Sequence, residues 1–183
     1  MQAGWMIIGT EEPFDLSING IVVRGRIDRI EKNKNTGEVR VLDYKTSNTS
    51  NDPVKKHWAL FNEEKQGDWV RDYACFEIDG KSYRWTGLQL PLYALALEKK
   101  YPVISFGFFN IPEVGSDVGI KLLSPCDGKL LSAARNCAEG LVADVKAGRF
   151  WPPNPSPEYD DYDSILFGEE KITAMEPEER ISG

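Results

Sequence analysis

The sequence predicts an α/β fold. Three observations carry this expectation. The first third holds three strand-like segments separated by short polar turns, the second of them rich in β-branched residues. Residues 88–99 place Leu88, Leu92 and Leu95 at i, i+4 and i+7, the spacing of a helix. Residues 103–148 then read as two further strands followed by a second helix.

The elements follow in order. Residues 12–19 form a strand that ends on the Asn19-Gly20 turn signal. Residues 21–31 form a second strand, and 39–46 a third across the polar turn at Asn35 and Gly37, giving a meander. Residues 48–85 read as an irregular insertion with one hairpin, 74–78 and 81–85, joined by Asp79-Gly80. The helix over 88–99 is apolar nearly all round and is expected to be buried. Strands are expected over 103–111 and 119–123. Asp127 is placed as the N-cap of a helix ending near Gly148, with Leu130, Ala134, Cys137, Leu141 and Val145 on its inner face. This divides the chain into a core over 1–157 and a partly disordered acidic tail over 158–183.

Composition bounds the function. With 183 residues, 41% hydrophobic and 28% charged, the chain suits one globular domain. No apolar run approaches a membrane span and no signal-peptide pattern appears, so no membrane partner is expected. Cys75, Cys126 and Cys137 lack metal-site spacing, which fits reduced thiols and a cytoplasmic setting. The net charge of -7 argues at first against nucleic acid. Its distribution changes that: from Glu158 onward nine acidic residues face two basic ones, and residues 1–157 are neutral with 20 of each sign. Charge therefore neither supports nor excludes DNA.

Pairing the second and third strands about Asn35 and Thr36 gives cross-strand partners whose numbers sum to 71. Asp28 then faces Asp43, Arg26 faces Lys45 and Ile30 faces Val41, with Asp28, Asp43 and Lys45 on one face. Two opposed carboxylates repel unless a cation lies between them. Hard oxygens on rigid strands suit Mg²⁺, and a lysine two residues on can hold the attacking water or stabilise charge on a phosphate. A plain surface hairpin fits poorly, because these charges interrupt otherwise apolar strands.

Gly25-Arg26-Ile27-Asp28-Arg29-Ile30-Glu31, Val41-Leu42-Asp43-Tyr44-Lys45-Thr46-Ser47 and Leu88-Gln89-Leu90-Pro91-Leu92-Tyr93 resemble the GRIDRID, DYKT and QxxxY motifs of RecB-like nucleases, a branch of the PD-(D/E)XK superfamily. Their shared order is specific where any one alone is weak. The resemblance runs from Trp5 to about Phe167. It implies a mixed central sheet flanked by helices, the restriction-endonuclease-like core. It implies Mg²⁺, or Mn²⁺, held by Asp28, Asp43 and the Tyr44 carbonyl. Lys45 would be catalytic, with Gln89 and Tyr93 lining the site or holding DNA. DNA is the implied partner, beside a fused or separate helicase and with no small-molecule cofactor. For Gln89, a capping box with Thr86 competes, but Pro91 would then clash with the Gly87 carbonyl. For Tyr93, an ordinary core tyrosine with one hydrogen bond weighs equally.

Two departures from the family pattern stand out. RecB-like nucleases take a further acidic ligand from a helix before the first strand, yet only ten residues precede Glu11. Glu11 and Glu12 are read as flanking a strand, with substitution for that ligand as the alternative. Truncation is the expected explanation, with Met1 an expression start and a longer protein carrying the helix. The absence of cysteine after Cys137 argues against the iron–sulfur cluster of some relatives. His57 is expected to be exposed in the insertion, with DNA contact beside Lys55, Lys56 and Trp58 as the alternative. Trp151-Pro152-Pro153 reads as a tail packing on the core, with base stacking as the alternative. Three functions remain: DNA hydrolysis, a DNA-binding scaffold that has lost cleavage, and a protein-interaction domain suggested only by the acidic tail.

Overall fold

The computed structural model describes residues 4–46, 51–66, 69–101, 103–112, 118–123 and 126–150. The expected acidic tail and the Trp151-Pro152-Pro153 segment lie outside them. The main sheet has five strands in the order β1 (Trp5–Ile18), β2 (Ile21–Asn33), β3 (Val39–Lys45), β7 (Val103–Asn110), β8 (Gly119–Leu122). β3 and β7 run parallel and every other pair is antiparallel, so the sheet is mixed. The turn signals act as chemistry dictates. Asn19 and Gly20 have φ of 47° and 79°, and Asp79 and Gly80 have 49° and 71°, the paired positive angles that a tight hairpin needs.

The parallel β3–β7 pair requires a crossover. It runs through α1 (Pro53–His57), β4 (Trp58–Leu60), α2 (Glu63–Gln66), a 3-10 turn at Asp72–Ala74, β5 (Cys75–Ile78), β6 (Lys81–Trp85) and α3 (Gln89–Leu97). The insertion is therefore not irregular: β4, β6 and β5 form a second sheet of three strands. Trp58, Phe76 and Trp85 supply its core, with Phe76 and Trp85 stacked at 4.4 Å. The pattern was hard to read because β4 is three residues long and α2 four. β1 is also longer than expected, starting at Trp5, with Glu11 and Glu12 inside it.

α3 buries Leu90, Pro91, Tyr93, Ala94, Leu95 and Leu97, as its all-round apolar sequence requires. It packs on β1, β3 and β7, and α4 (Gly128–Lys146) packs on it. Asp127 caps α4 by accepting from Leu130 N at 2.8 Å. Asp127→Ala should cost about 1 kcal/mol in urea unfolding, the usual worth of such a cap; an unchanged midpoint would show that the cap is idle. The inner face of α4 differs from expectation in its second half. Leu130, Ala134 and Cys137 are buried, but Ala138 and Val142 follow them, while Leu141 and Val145 are 46% and 52% exposed. The two inward residues pack with Leu16, Ile18 and Leu95, so the far end of α4 turns Ala138 and Val142 to β1 and α3.

Candidate active site

The β2–β3 register is the one that the turn implies. Lys32↔Val39, Glu31↔Arg40, Ile30↔Val41 and Arg29↔Leu42 are paired. The ladder ends there, one step before Asp28 and Asp43. At that step the Tyr44 amide donates to Asp28 Oδ2 at 2.8 Å instead of to a strand carbonyl. The two strands are thus tied at their ends by a carboxylate, which fixes Asp28 beside the Asp43–Lys45 segment.

Asp43 is where the candidate residues meet. Its side chain is 5% exposed. Oδ1 accepts from Gln89 Nε2 at 2.9 Å. Oδ2 lies 2.7 Å from the Lys45 ammonium, in ion-pair contact. Burial pushes the Asp43 carboxyl above its ordinary value, Lys45 opposes this, and the charge of Asp28 adds to it. Gln89 Nε2 also reaches Tyr93 Oη at 3.0 Å. Gln89 is solvent-exposed and Tyr93 buried, so the pair runs from the mouth of the site inward. Burial also raises the Tyr93 phenol, and the charges of Asp43, Asp28 and Glu11 raise it further. The structure therefore brings together Asp28, Asp43, Lys45, Gln89 and Tyr93, with Tyr44 between them in sequence. Thr86 plays no capping role: Leu88 is the N-cap and makes no side-chain cap bond.

Neighbouring side chains brace this group. Phe14 stands across from Gly25, where an added Cβ would come within 2.7 Å of its ring. Phe14 then meets Tyr93 edge-on at 5.6 Å. The glycine of the first motif thus leaves space for the ring that backs Tyr93. Lys45 Nζ lies 4.9 Å from the centre of the Phe108 ring, and Ile111 N donates to Lys45 O at 2.8 Å. A cleft of about 510 Å³ opens beside these residues, walled by Tyr44, Lys45, Lys56, Gly87, Gln89 and Phe108.

The donor set suits a hard divalent cation in part. Two carboxylates adjoin, and the buried Asp43 Oδ2 has the Lys45 ammonium as its charged neighbour. Among the described residues no group of three or more His, Cys, Asp or Glu converges as a metal-binding set.

Three residues take places that the sequence reading did not give them. Glu11 is level with Asp28, since Thr10↔Arg29 and Glu12↔Ile27 flank it, and it holds a φ of 49°, uncommon for a residue with a side chain. Glu31, the last residue of the first motif, is 2% exposed and paired with Arg29 and Arg40. The sum-to-71 register already set Glu31 against Arg40 and was the available signal. His57, expected to be exposed, is 2% exposed. Its partner lies 33 residues away, so spacing gave no sign of it.

Comparison with protein families matches residues 1–159 to the PD-(D/E)XK nuclease superfamily. No curated protein matches the chain.

Proposed function

For a chain that belongs to the PD-(D/E)XK nuclease superfamily, we infer a metal-dependent deoxyribonuclease of the RecB-like branch, hydrolysing DNA phosphodiesters in repair or recombination. The observation that carries this reading is the convergence of Asp28, Lys45 and Gln89 on one buried carboxylate, Asp43. Asp28, Asp43 and the Tyr44 carbonyl would hold Mg²⁺ or Mn²⁺. The bound ion would supply polarisation of the phosphate and a more acidic water.

The chain's own groups do the rest. Gln89 holds Asp43 Oδ1, which fixes the direction of the other oxygen. Lys45, on the partly exposed side of Asp43, would donate to the attacking water or to a phosphate oxygen. The water oxygen forms the new bond to phosphorus, and the sugar oxygen leaves and gains a proton. Charge builds on the phosphate oxygens during this exchange, and an ammonium already in place stabilises it without reorganisation. The cleft beside Lys45 and Lys56 gives the strand a path to this point. A cytoplasmic protein acting with a fused or separate helicase is the setting proposed.

A second reading is a DNA-binding scaffold without cleavage. It is favoured by the lack of a third carboxylate ligand among the described residues. Cleavage of DNA in Mg²⁺, abolished by chelator, decides between the two. Lys45→Ala should lower cleavage by about 100-fold, the scale of losing one transition-state donor, while DNA binding in Ca²⁺ persists. DNA bound in Ca²⁺ but never cut in Mg²⁺ would select the scaffold.

A further inference from the structure

We propose that His57, carried by the insertion, is a positioning residue for Gln89: its imidazole caps the helix that presents Gln89 and Tyr93. The start of α3 lacks the usual means of capping. Leu88 at the N-cap offers no side-chain acceptor, and Pro91 in the first turn has no amide proton. The Leu90 amide is satisfied from outside, donating to His57 Nε2 at 3.2 Å. An accepting Nε2 places the ring proton on Nδ1, which donates to Pro53 O at 2.7 Å. The His57 carbonyl also accepts from Thr86 N and Gly87 N, at 2.8 and 3.2 Å. Gly87 lets the chains approach this closely, since a Cβ there would meet Lys56 O at 2.9 Å.

One residue therefore fixes three points, at Thr86, Gly87 and Leu90, on the approach to α3 and its first turn. The amide it caps belongs to the neighbour of Gln89, whose side chain holds Asp43. Only a neutral imidazole can do this, because a second ring proton would point at the Leu90 N–H. The surroundings agree: burial lowers the His57 pKa, the Pro53 carbonyl opposes this, and the Lys45 charge lowers it further. The ring packs 5.7 Å from Phe108, and Lys56 shares the same cleft wall. A depressed histidine pKa contributes stability above the unfolded value near 6.5, lost as pH falls through the folded one.

The inference rests on reading Asp43 as part of the reaction centre, and the test separates the two. His57→Gln retains an acceptor at the Nε2 position, whereas His57→Asn retains only a donor at the Nδ1 position. Both lose one of two ring hydrogen bonds, so a purely structural role lowers their melting temperatures alike and leaves Mg²⁺ affinity equal. The cap predicts that His57→Asn binds Mg²⁺ about 10-fold more weakly, the usual scale for an orienting partner, and that His57→Gln stays within about 3-fold of wild type. It also predicts that the Leu90 amide, whose acceptor is His57 Nε2, exchanges with solvent faster in His57→Asn than in His57→Gln. If wild type neither binds Mg²⁺ nor cuts DNA, the functional reading fails and the amide exchange still reports on the cap. Equal Leu90 exchange in both variants overturns the proposal. Should His57→Asn not fold, the wild-type ring decides: ¹⁵N NMR should show a proton on Nδ1 and a bare Nε2, and the opposite tautomer overturns it.

Discussion

Asp43→Asn should abolish the response to Mg²⁺ while leaving the metal-free protein as stable as wild type or slightly more so. The asparagine keeps an oxygen for Gln89 and removes a charge that burial and Asp28 disfavour. Because the folded-state pKa of Asp43 is raised, its protonated form favours folding without metal. That contribution is complete below the unfolded value near 3.8 and is lost as pH rises through the raised folded value. A cation that binds the ionised carboxylate acts in the opposite direction. Magnesium at ten times its Kd would stabilise the wild type by about 1.4 kcal/mol, roughly 3–5 °C in melting temperature for a chain of this size. The shift should grow with pH across the Asp43 titration in wild type and be absent in Asp43→Asn. Calorimetric titration and thermal melts with and without Mg²⁺ measure both quantities. A variant that binds Mg²⁺ as tightly as wild type would remove Asp43 from the ligand set. Asp28→Ala is a less clean probe, since it also strands the Tyr44 amide that Asp28 accepts.

The parts of this site legible in the sequence are those fixed by short-range rules. A polar turn at Asn35 and Gly37 sets one register, and strict alternation then sends Asp28 and Asp43 to the same face. The i, i+4 spacing similarly puts Gln89 and Tyr93 on one side of α3. What the sequence hid depends on contacts across long separations. The Leu90 amide finds its acceptor in the insertion, and Asn110 at the end of β7 donates to Asn51 O, 59 residues away. No local period encodes such pairs. The small sheet was missed for a related reason: β4 is too short to show alternation and is recognisable only by its pairing with β6. The α4 error has another origin. Two apolar stripes overlap on that helix, and Leu141 and Val145 on one of them drew the reading away from Ala138 and Val142 on the other.

Glu31→Ala should be strongly destabilising, costing about 3–5 kcal/mol, because it removes the buried carboxylate that the Arg29 and Arg40 guanidinium groups share. Glu31 and Arg40 are both nearly enclosed, with side chains 3% and 4% exposed, and Glu31 Oε2 meets Arg40 Nε directly. Glu31 Oε1 accepts from Arg29 Nε at 2.8 Å. The Arg40 guanidinium also lies 4.1 Å from the centre of the Trp5 ring, which ties β1 into the same cluster. A loss of that size is a large fraction of the roughly 5–15 kcal/mol that holds a domain folded. Attraction between buried charges mostly offsets their desolvation, so the net value of an intact pair is small even though breaking it is costly. Glu31→Leu combined with Arg40→Met should therefore recover most of the stability lost by Glu31→Ala in urea unfolding. Recovery should not extend fully to function. Arg29 anchors on Glu31 while donating to Tyr44 Oη at 3.3 Å and covering the Phe109 ring at 5.2 Å. Without Glu31 that guanidinium is free to leave Tyr44, the residue whose amide holds Asp28 and whose carbonyl is proposed as a metal ligand. The double variant should thus melt near wild type and bind Mg²⁺ more weakly. A single variant that loses less than about 1 kcal/mol would show that the cluster is no anchor for the β2–β3 edge.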